Sequence, residues 1–296
     1  MKKRYFWQVD AFTREPYSGN AAAVVFDAEG LSQDAMQAIA REMNLSETVF
    51  VLPPTEPSAH YWSRIFTPQN ELPFAGHPTL ATAYAMLTSN RAEPDDKVLR
   101  QQCGIGIIPI AVHENGGDAV RLAMTQGKPD YRDAPVETKL AASMLGCSES
   151  DIDDTGVEVV STGLPWMIIP VRSLRAMSSL TPDQRLIETV CRERKAVGIT
   201  TFCPEAASPE ASYRIRSFAP GEGVPEDPVC GSGNGSTAAY LAKHRYGDSF
   251  EYVSEQGVEI GREGRVFVQG DRDGDGNLAV RVGGHAVQVM EGHVFA

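Results

Sequence analysis

Two stretches of the chain carry the same local signals in the same order. Residues 61–87 and residues 212–242 each have an alternating strand pattern that ends in Arg-x-Phe-x-Pro, then an acidic loop, a glycine and a helix pattern of small residues. An ordered repeat of this kind is typical of a repeated fold, because each copy specifies the same local structure. The sequence therefore predicts a chain built from two similar halves.

The repeat continues beyond these two stretches. The matched pairs are 100–112 with 253–268, 118–124 with 278–284 and, more loosely, 5–26 with 157–171. Their apolar residues recur at every second position between Gly, Asn and Asp, which is typical of strands joined by turns. We predict an α+β fold of two pseudo-repeated halves, 1–128 and 129–296, each a mostly antiparallel sheet with one long helix against it. An arrangement in which the last residues pack back on the first half stays open.

The charge of the chain excludes several classes of function. The net charge is -12 and the sequence pI is near 5.0, so we expect no basic surface that could neutralise nucleic-acid phosphates. No apolar run reaches the roughly 18 residues of a membrane span. Asp10 also interrupts the start of the chain before a signal-peptide core can develop. The expected partner is a small molecule, without nucleic acid or membrane.

Cysteine usage indicates a reducing, cytoplasmic location and no structural metal. The five cysteines are an odd number without a Cys-x-x-Cys pair, and no histidines cluster at zinc spacing. Residues 271–277 begin like a calcium-binding loop, but Val282 stands where such a loop needs a bidentate Glu. An acidic hairpin turn is the favoured interpretation. We expect neither a metal nor another cofactor.

Each half presents a helix start directly after a glycine-containing loop, at Gly76 and at Gly231. The first backbone N–H groups of a helix have no partner within it and carry partial positive charge, which favours an anion. Glycine also lets the backbone approach a ligand that a Cβ would obstruct. Two such junctions at matched repeat positions predict a site for a small carboxylate-bearing metabolite.

Side chains that can exchange protons lie around these two junctions. Glu47 lies between a helix and an apolar strand, where a carboxylate is either a solvated loop residue or a base. His77 begins the first of the two helices and is of the type that exchanges protons near neutral pH. Asp227 could orient His77 or balance its charge, and Ser232 offers a hydroxyl at the second helix start. Asn20 ends a tight turn, where it either shapes the turn or binds substrate.

Five motifs together make the sequence similar to a known family. They are VDAFTREPYSGNAAAVV, REMNLSETVFVL, RIFTPQNELPFAGHPTLATA, FAPGEGVPEDPVCGSGNG and EQGVEIGR, and they extend from residue 9 to residue 262. With them, the chain resembles the PhzF family of phenazine-biosynthesis-like proteins, which has the diaminopimelate epimerase fold. The resemblance implies two domains, each a sheet curled around a central helix, with the active site in the cleft between them and usually a homodimer.

The resemblance also implies a reaction and a set of site residues. The best-understood member of the family isomerises a dihydro-hydroxyanthranilate by moving a proton, without cofactor or metal. The family's site residues fall on Glu47 as the acid/base, on His77, Asp227 and Ser232, and on anion-binding backbone at Gly76 and Gly231. One carboxylate can both remove and return a proton when the two carbons share a face. The sequence thus predicts a cofactor-independent isomerase.

Cys230 departs from the family pattern, which commonly has Thr at this position. Epimerases of the same fold use two cysteines, one at each helix start, but the first-half residue that matches Cys230 is Ala75. A two-thiol mechanism is therefore excluded. The thiol is a packed small residue, a redox-sensitive residue outside the reaction, or a second base beside Glu47, and the last would make a racemase or epimerase. A protein that only binds a carboxylated metabolite also stays open.

Overall fold

The computed structural model describes residues 2–113, 120–132 and 135–296. Residues 133 and 134, close to the predicted boundary between the halves, lie outside the described residues. The chain divides into two compact units. The first consists of Met1–Met124 and Gly283–Ala296, and the second of Thr125–Val282. Each unit has its own run of paired strands, called its sheet below, and its own central helix.

Strands and helices alternate along the first unit. Its strands are β1 (Lys3–Ala11), β2 (Asn20–Val25), β3 (Glu47–Leu52), β4 (Tyr61–Phe66), β5 (Glu71–Leu72), β6 (Val98–Cys103), β7 (Gly106–His113) and β8 (Arg121–Thr125). Its helices are α1 (Gln33–Met43), between β2 and β3, and α2 (Gly76–Thr88), between β5 and β6. Each helix lies in a connection between two parallel strands, which a tight hairpin cannot join.

The second unit repeats this order and adds two shorter helices. Its strands are β9 (Asp130–Arg132), β10 (Glu158–Ser161), β11 (Pro165–Pro170), β12 (Gly198–Cys203), β13 (Tyr213–Ala219), β14 (Val224–Asp227), β15 (Ser249–Gln256), β16 (Gly264–Arg272) and β17 (Leu278–Phe295). Its helices are α3 (Thr138–Leu145), α4 (Leu174–Ser178), α5 (Gln184–Arg194) and α6 (Gly231–His244). Short 3-10 turns lie at Glu149–Asp151, Pro220–Glu222 and Val258–Ile260. The part of β17 from Gly283 onward belongs to the first unit.

The two sheets have the same strand pairing. In the first, the order is β1–β2–β3–β4–β6–β7–β8, with β5 beside β4. In the second, it is β10–β11–β12–β13–β15–β16, with β14 beside β13 and β9 beside β10. The pairs β2–β3, β4–β6, β11–β12 and β13–β15 are parallel, and the other pairs in these orders are antiparallel. The predicted α+β fold of two pseudo-repeated, mostly antiparallel halves is confirmed.

Each sheet curls around one helix of small residues. α2 packs against β1, β2, β3 and β6, and α6 packs against β10, β11, β12 and β16. Most residues of both helices are buried. Their Ala, Gly, Ser and Thr side chains let the strands approach closely, as a helix enclosed on all sides requires. The start of each central helix is therefore held firmly against its own sheet.

The outer helices α1 and α5 occupy corresponding places in the two units. Each buries one apolar stripe against its sheet. They follow Ser32 and Asp183, whose side chains accept N–H groups of the first turn. Each helix ends at a residue in the left-handed conformation, Asn44 with φ 51° and Lys195 with φ 54°. The strands that follow, β3 and β12, start three residues after this residue in both units.

The Arg-x-Phe-x-Pro marker has the same structural role in both halves. Arg64 on β4 makes two hydrogen bonds of 2.7 Å to the carboxylate of Glu71 on β5. Arg216 on β13 makes the equivalent bonds to Glu226 on β14, at 2.8 and 2.9 Å. Each guanidinium also lies over the ring of the motif's Phe, 5.3 and 5.1 Å from its centroid. The paired bonds tie together the two strands that precede each central helix.

The acidic segment that begins like a calcium-binding loop connects two strands. Residues 273–277 join β16 to β17, and the Asp273 carboxylate accepts the backbone N–H groups of Asp275 and Asn277. The segment is therefore the hairpin turn that the sequence favoured. No helix in the described part of the chain combines the length and apolar character that a bilayer crossing requires.

Candidate active site

Glu47 and His77 lie together in the first unit. Glu47 is the first residue of β3, and His77 is the second residue of α2. The Oε2 atom of Glu47 lies 3.0 Å from Nε2 of His77, and the two side chains are 14% and 9% exposed. A carboxylate and an imidazole this close together, and this well shielded from water, can exchange a proton or stabilise each other's charge.

The contact between Glu47 and His77 is close, but it is not an aligned hydrogen bond. Although the two atoms lie 3.0 Å apart, Oε2 of Glu47 has no partner among the described residues that meets the angular requirement of a hydrogen bond. A buried carboxylate oxygen without an aligned donor is costly, and such groups deserve a functional explanation. Oε2 is therefore well suited to take a proton from a ligand.

Asn20 lies on the same face of the sheet as Glu47. In the parallel register of β2 and β3, Ala22 is the partner of Glu47, and Asn20 precedes Ala22 by two residues. Because side chains alternate along a strand, all three lie on the face toward α2. The preceding turn requires Gly19, whose φ is +59° and whose Cβ would lie 2.1 Å from the carbonyl oxygen of Ala11. Asn20 itself is buried.

The start of α2 presents backbone N–H groups beside this carboxylate. Ala75 occupies the N-cap position and makes no side-chain cap hydrogen bond. Of the first three residues of the helix, Gly76 and His77 carry a backbone N–H, whereas Pro78 has none. This arrangement supports the predicted use of backbone at Gly76 for an anion.

The residues predicted in the second half gather at the start of α6. Cys230 caps the helix, because its Sγ accepts the N–H of Gly233 at 3.3 Å. Ser232 Oγ accepts the indole N–H of Trp166 at 2.9 Å. Asp227 Oδ1 accepts a backbone N–H two residues further on, at 3.1 Å. The loop before α6 is thus held by its own side chains.

The surroundings of the Cys230 thiol disfavour its thiolate form. Burial raises its pKa well above the ordinary value, and the charge of Asp227 raises it further. A helix N-terminus alone would lower a thiol pKa, but at this position burial has the larger effect. Cys230 is therefore protonated at neutral pH, which supports its interpretation as a packed residue.

Two buried amides, absent from the sequence-based set of site residues, hold the loop before α6. Gln256 Oε1 accepts the N–H of Cys230 at 3.2 Å, and its Nε2 donates to the Asp227 carbonyl at 3.0 Å. Asn234 Nδ2 donates to the Cys230 carbonyl at 2.9 Å and to Gln256 Oε1 at 3.0 Å. The only sequence signal for Gln256 is its place in the motif EQGVEIGR.

The structure brings the predicted residues together in two groups. The groups are Asn20, Glu47, Gly76 and His77 in the first unit, and Asp227, Cys230, Gly231 and Ser232 in the second. The role of each residue and the predicted action of Asp227 on His77 stay predictions. That one cleft serves both groups also stays a prediction.

Comparisons with known proteins show that the similarity to the family covers nearly the whole chain and not only the single motifs. The family described as phenazine biosynthesis-like protein, PhzC-PhzF, matches residues 9–292. A trans-2,3-dihydro-3-hydroxyanthranilate isomerase of Pseudomonas aeruginosa is 38% identical over 290 residues, which cover 97% of this chain and 98% of that protein. The crystal structure of a Bacillus anthracis phenazine biosynthesis protein of the PhzF family is 32% identical, covers 100% of both chains and has a TM-score of 0.91. A hydroxyproline epimerase of Agrobacterium vitis, 15% identical with a TM-score of 0.66 over 99% of this chain and 91% of its own, shares the fold alone.

Two similar halves, each a sheet around a central helix, define a protein of the isomerase and epimerase fold class. The chain belongs to the phenazine biosynthesis-like family, PhzC-PhzF. Relatives that are 33% and 38% identical to it are named as isomerases, and the chain is an enzyme of that class. The family and the fold that the motifs implied are confirmed.

Proposed function

We propose that the chain is a cofactor-independent isomerase that moves a proton between two carbons of a small carboxylate-bearing metabolite, with Glu47 as acid and base. The observation that carries the proposal is the buried contact of 3.0 Å between Glu47 and His77 at the start of the central helix. The relative from Pseudomonas aeruginosa supports it, because that protein is a trans-2,3-dihydro-3-hydroxyanthranilate isomerase. This compound is the first substrate to test.

In the proposed reaction, the Glu47 carboxylate removes a proton from one carbon and returns it to another on the same face. The electron pair of the broken C–H bond shifts through the neighbouring double bond, and the new C–H bond forms at its far end. The atoms therefore balance without a redox partner. His77 and the positive end of α2 stabilise the negative charge that develops on the substrate. Acid/base help of this kind contributes about 10² to 10⁴ in rate.

One base fits the site better than two. An epimerase must remove a proton on one face of a carbon and return it on the other, which needs a second group. Ala75 has no ionisable side chain, and burial raises the pKa of the Cys230 thiol well above its ordinary value. The alternative of a racemase or epimerase that uses Glu47 and Cys230 is therefore less supported. A protein that only binds an anion is also less supported, because binding an anion requires neither the Glu47 carboxylate nor its contact with the His77 imidazole.

The test replaces Glu47 by the neutral Glu47→Gln variant. In D₂O with trans-2,3-dihydro-3-hydroxyanthranilate, wild-type protein should form the isomerised product and incorporate deuterium, as measured by NMR. Glu47→Gln should lower kcat by about 10³-fold, since the proton acceptor is lost. Glu42→Gln on the exposed face of α1 is the matched control and should keep the wild-type rate.

Two outcomes would contradict the proposal in different ways. Unchanged deuterium exchange in Glu47→Gln would remove Glu47 from the role of base. Binding of the compound by wild-type protein, without exchange or product, would favour a binding protein for this metabolite over an enzyme acting on it.

The predicted homodimer and cytoplasmic location stay predictions. Sedimentation velocity of the purified chain tests the first, since a dimer has twice the mass of one chain. A single species at the mass of one chain would contradict it.

A further inference from the structure

The repeat gives Glu47 and His77 of the first unit counterparts in the second unit. Both β3 and β12 start three residues after the left-handed residue that ends the preceding helix. Glu47 therefore matches Gly198. His77 and Ser232 are each the second residue of a central helix and match in the same way.

Gly198 has no room for a side chain. A Cβ at this position would lie 2.3 Å from the carbonyl oxygen of Phe218 and 2.8 Å from the ring of Trp166. Both distances are shorter than real Cβ contacts, and the first is to the backbone of the neighbouring strand, so a substitution would have to shift that strand. The second unit therefore cannot hold a carboxylate where the first unit has Glu47.

Trp166 takes up this space instead. The parallel registers pair Ala22 with Glu47 in the first unit and Trp166 with Gly198 in the second. In the first unit the large residue is therefore on the second strand of the pair, and in the second unit it is on the first strand. Trp166 is 4% exposed, and its Nε1–H donates to Ser232 Oγ at 2.9 Å. His77 thus has the carboxylate of Glu47 as its neighbour, and Ser232 has the indole of Trp166 in the corresponding place.

We propose that Trp166 is a positioning residue that holds the Ser232 hydroxyl as a hydrogen-bond donor toward the anionic group of the substrate. A serine hydroxyl has one O–H donor and two acceptor lone pairs, and the indole N–H occupies one of the lone pairs. The O–H is left to turn toward Cys230 Sγ, which lies 3.5 Å from Ser232 Oγ, or toward a bound oxygen. Because sulfur is a weak acceptor, an anionic oxygen displaces that contact.

This inference rests on the proposed function, because Ser232 can contact an anionic group only if the protein binds the proposed substrate. Its test therefore measures binding rather than turnover. The probe is 3-hydroxyanthranilate, an aromatic compound with the carboxylate, amine and hydroxyl groups of the proposed substrate and no saturated ring carbon that could lose a proton. Its Kd is measured by calorimetry on the full chain.

Trp166→Phe removes the indole N–H and keeps an aromatic ring. We expect its Kd for the probe to rise by about 5- to 10-fold, because the hydroxyl loses its orientation toward the charged group. Trp62→Phe is the matched control on β4 of the first unit, where the side chain is half-buried, and it should bind like wild type.

A double-mutant cycle separates orientation of the hydroxyl from packing. Ser232→Ala should weaken binding, and addition of Trp166→Phe should then cause no further loss, because no hydroxyl is left to orient. Additive losses, or an unchanged Kd in Trp166→Phe, would overturn the inference. Should Trp166→Phe fail to fold, an unchanged Kd in Ser232→Ala alone would overturn it, as would undetectable binding of the probe to wild type. Absence of turnover with the dihydro compound would instead reject the proposed function.

Discussion

Cys230 lies at a helix start, which on its own would lower the pKa of a thiol, but burial has the larger effect and raises it. Burial and the Asp227 charge both raise its pKa, so we expect Cys230 to act as a protonated cap and to take no part in the reaction. Serine accepts the same backbone N–H, so Cys230→Ser should leave kcat within about 3-fold of wild type. Steady-state kinetics with a circular dichroism check of folding measures this. A loss above about 10³-fold in a folded variant would assign the thiol to the reaction.

At the scale of elements, the Arg–Glu pairs that join the strands before each central helix have the same geometry but different burial. The Arg216 and Glu226 side chains are 6% and 14% exposed, whereas those of Arg64 and Glu71 are 19% and 30% exposed. Arg216→Ala leaves the largely shielded Glu226 carboxylate without its partner, removes the bond to the Met177 carbonyl and should lower the free energy of unfolding by about 3–5 kcal/mol. Arg64→Ala should lower it by about 1 kcal/mol, because water can solvate the remaining Glu71.

Chemical denaturation followed by circular dichroism measures both losses, and Arg41→Ala on the exposed surface of α1 is the control. Equal losses in Arg64→Ala and Arg216→Ala would contradict the assignment of the difference to burial.

For the whole molecule, the sequence could predict what recurs along the chain but not what depends on register. The two halves were predictable because each copy repeats the same local signals, and Glu47 and His77 were singled out by family motifs. The bond from Trp166 to Ser232 joins residues 66 positions apart and depends on the pairing of β11 with β12, which an apolar pattern does not specify. The Arg–Glu pairs span seven residues in one half and ten in the other, so no common spacing indicates them.

The end of the chain completes the sheet at its beginning. β17 pairs antiparallel with β1, from Ala286 opposite Ala11 to Phe295 opposite Lys3, while β2 pairs with the other edge of β1. Without β17, the backbone groups along one edge of β1 would lose their partners. Because α2 packs against β1, the start of α2 and the Glu47–His77 contact would lose support.

Truncation after Val282 should therefore destabilise the first unit more than the second. Hydrogen exchange followed by mass spectrometry should show β1 amides exchanging much faster, because they lose bonded partners, and isomerase activity should fall with them. Peptides from β12 should keep their protection, since β12 pairs with β11 and β13 and not with β17. Deletion of Ala296 alone removes only its backbone bonds to Lys2, which precedes β1, so this control should leave both measurements near wild type. Full protection of β1 in the truncated chain would show that pairing with β2 suffices to hold this strand.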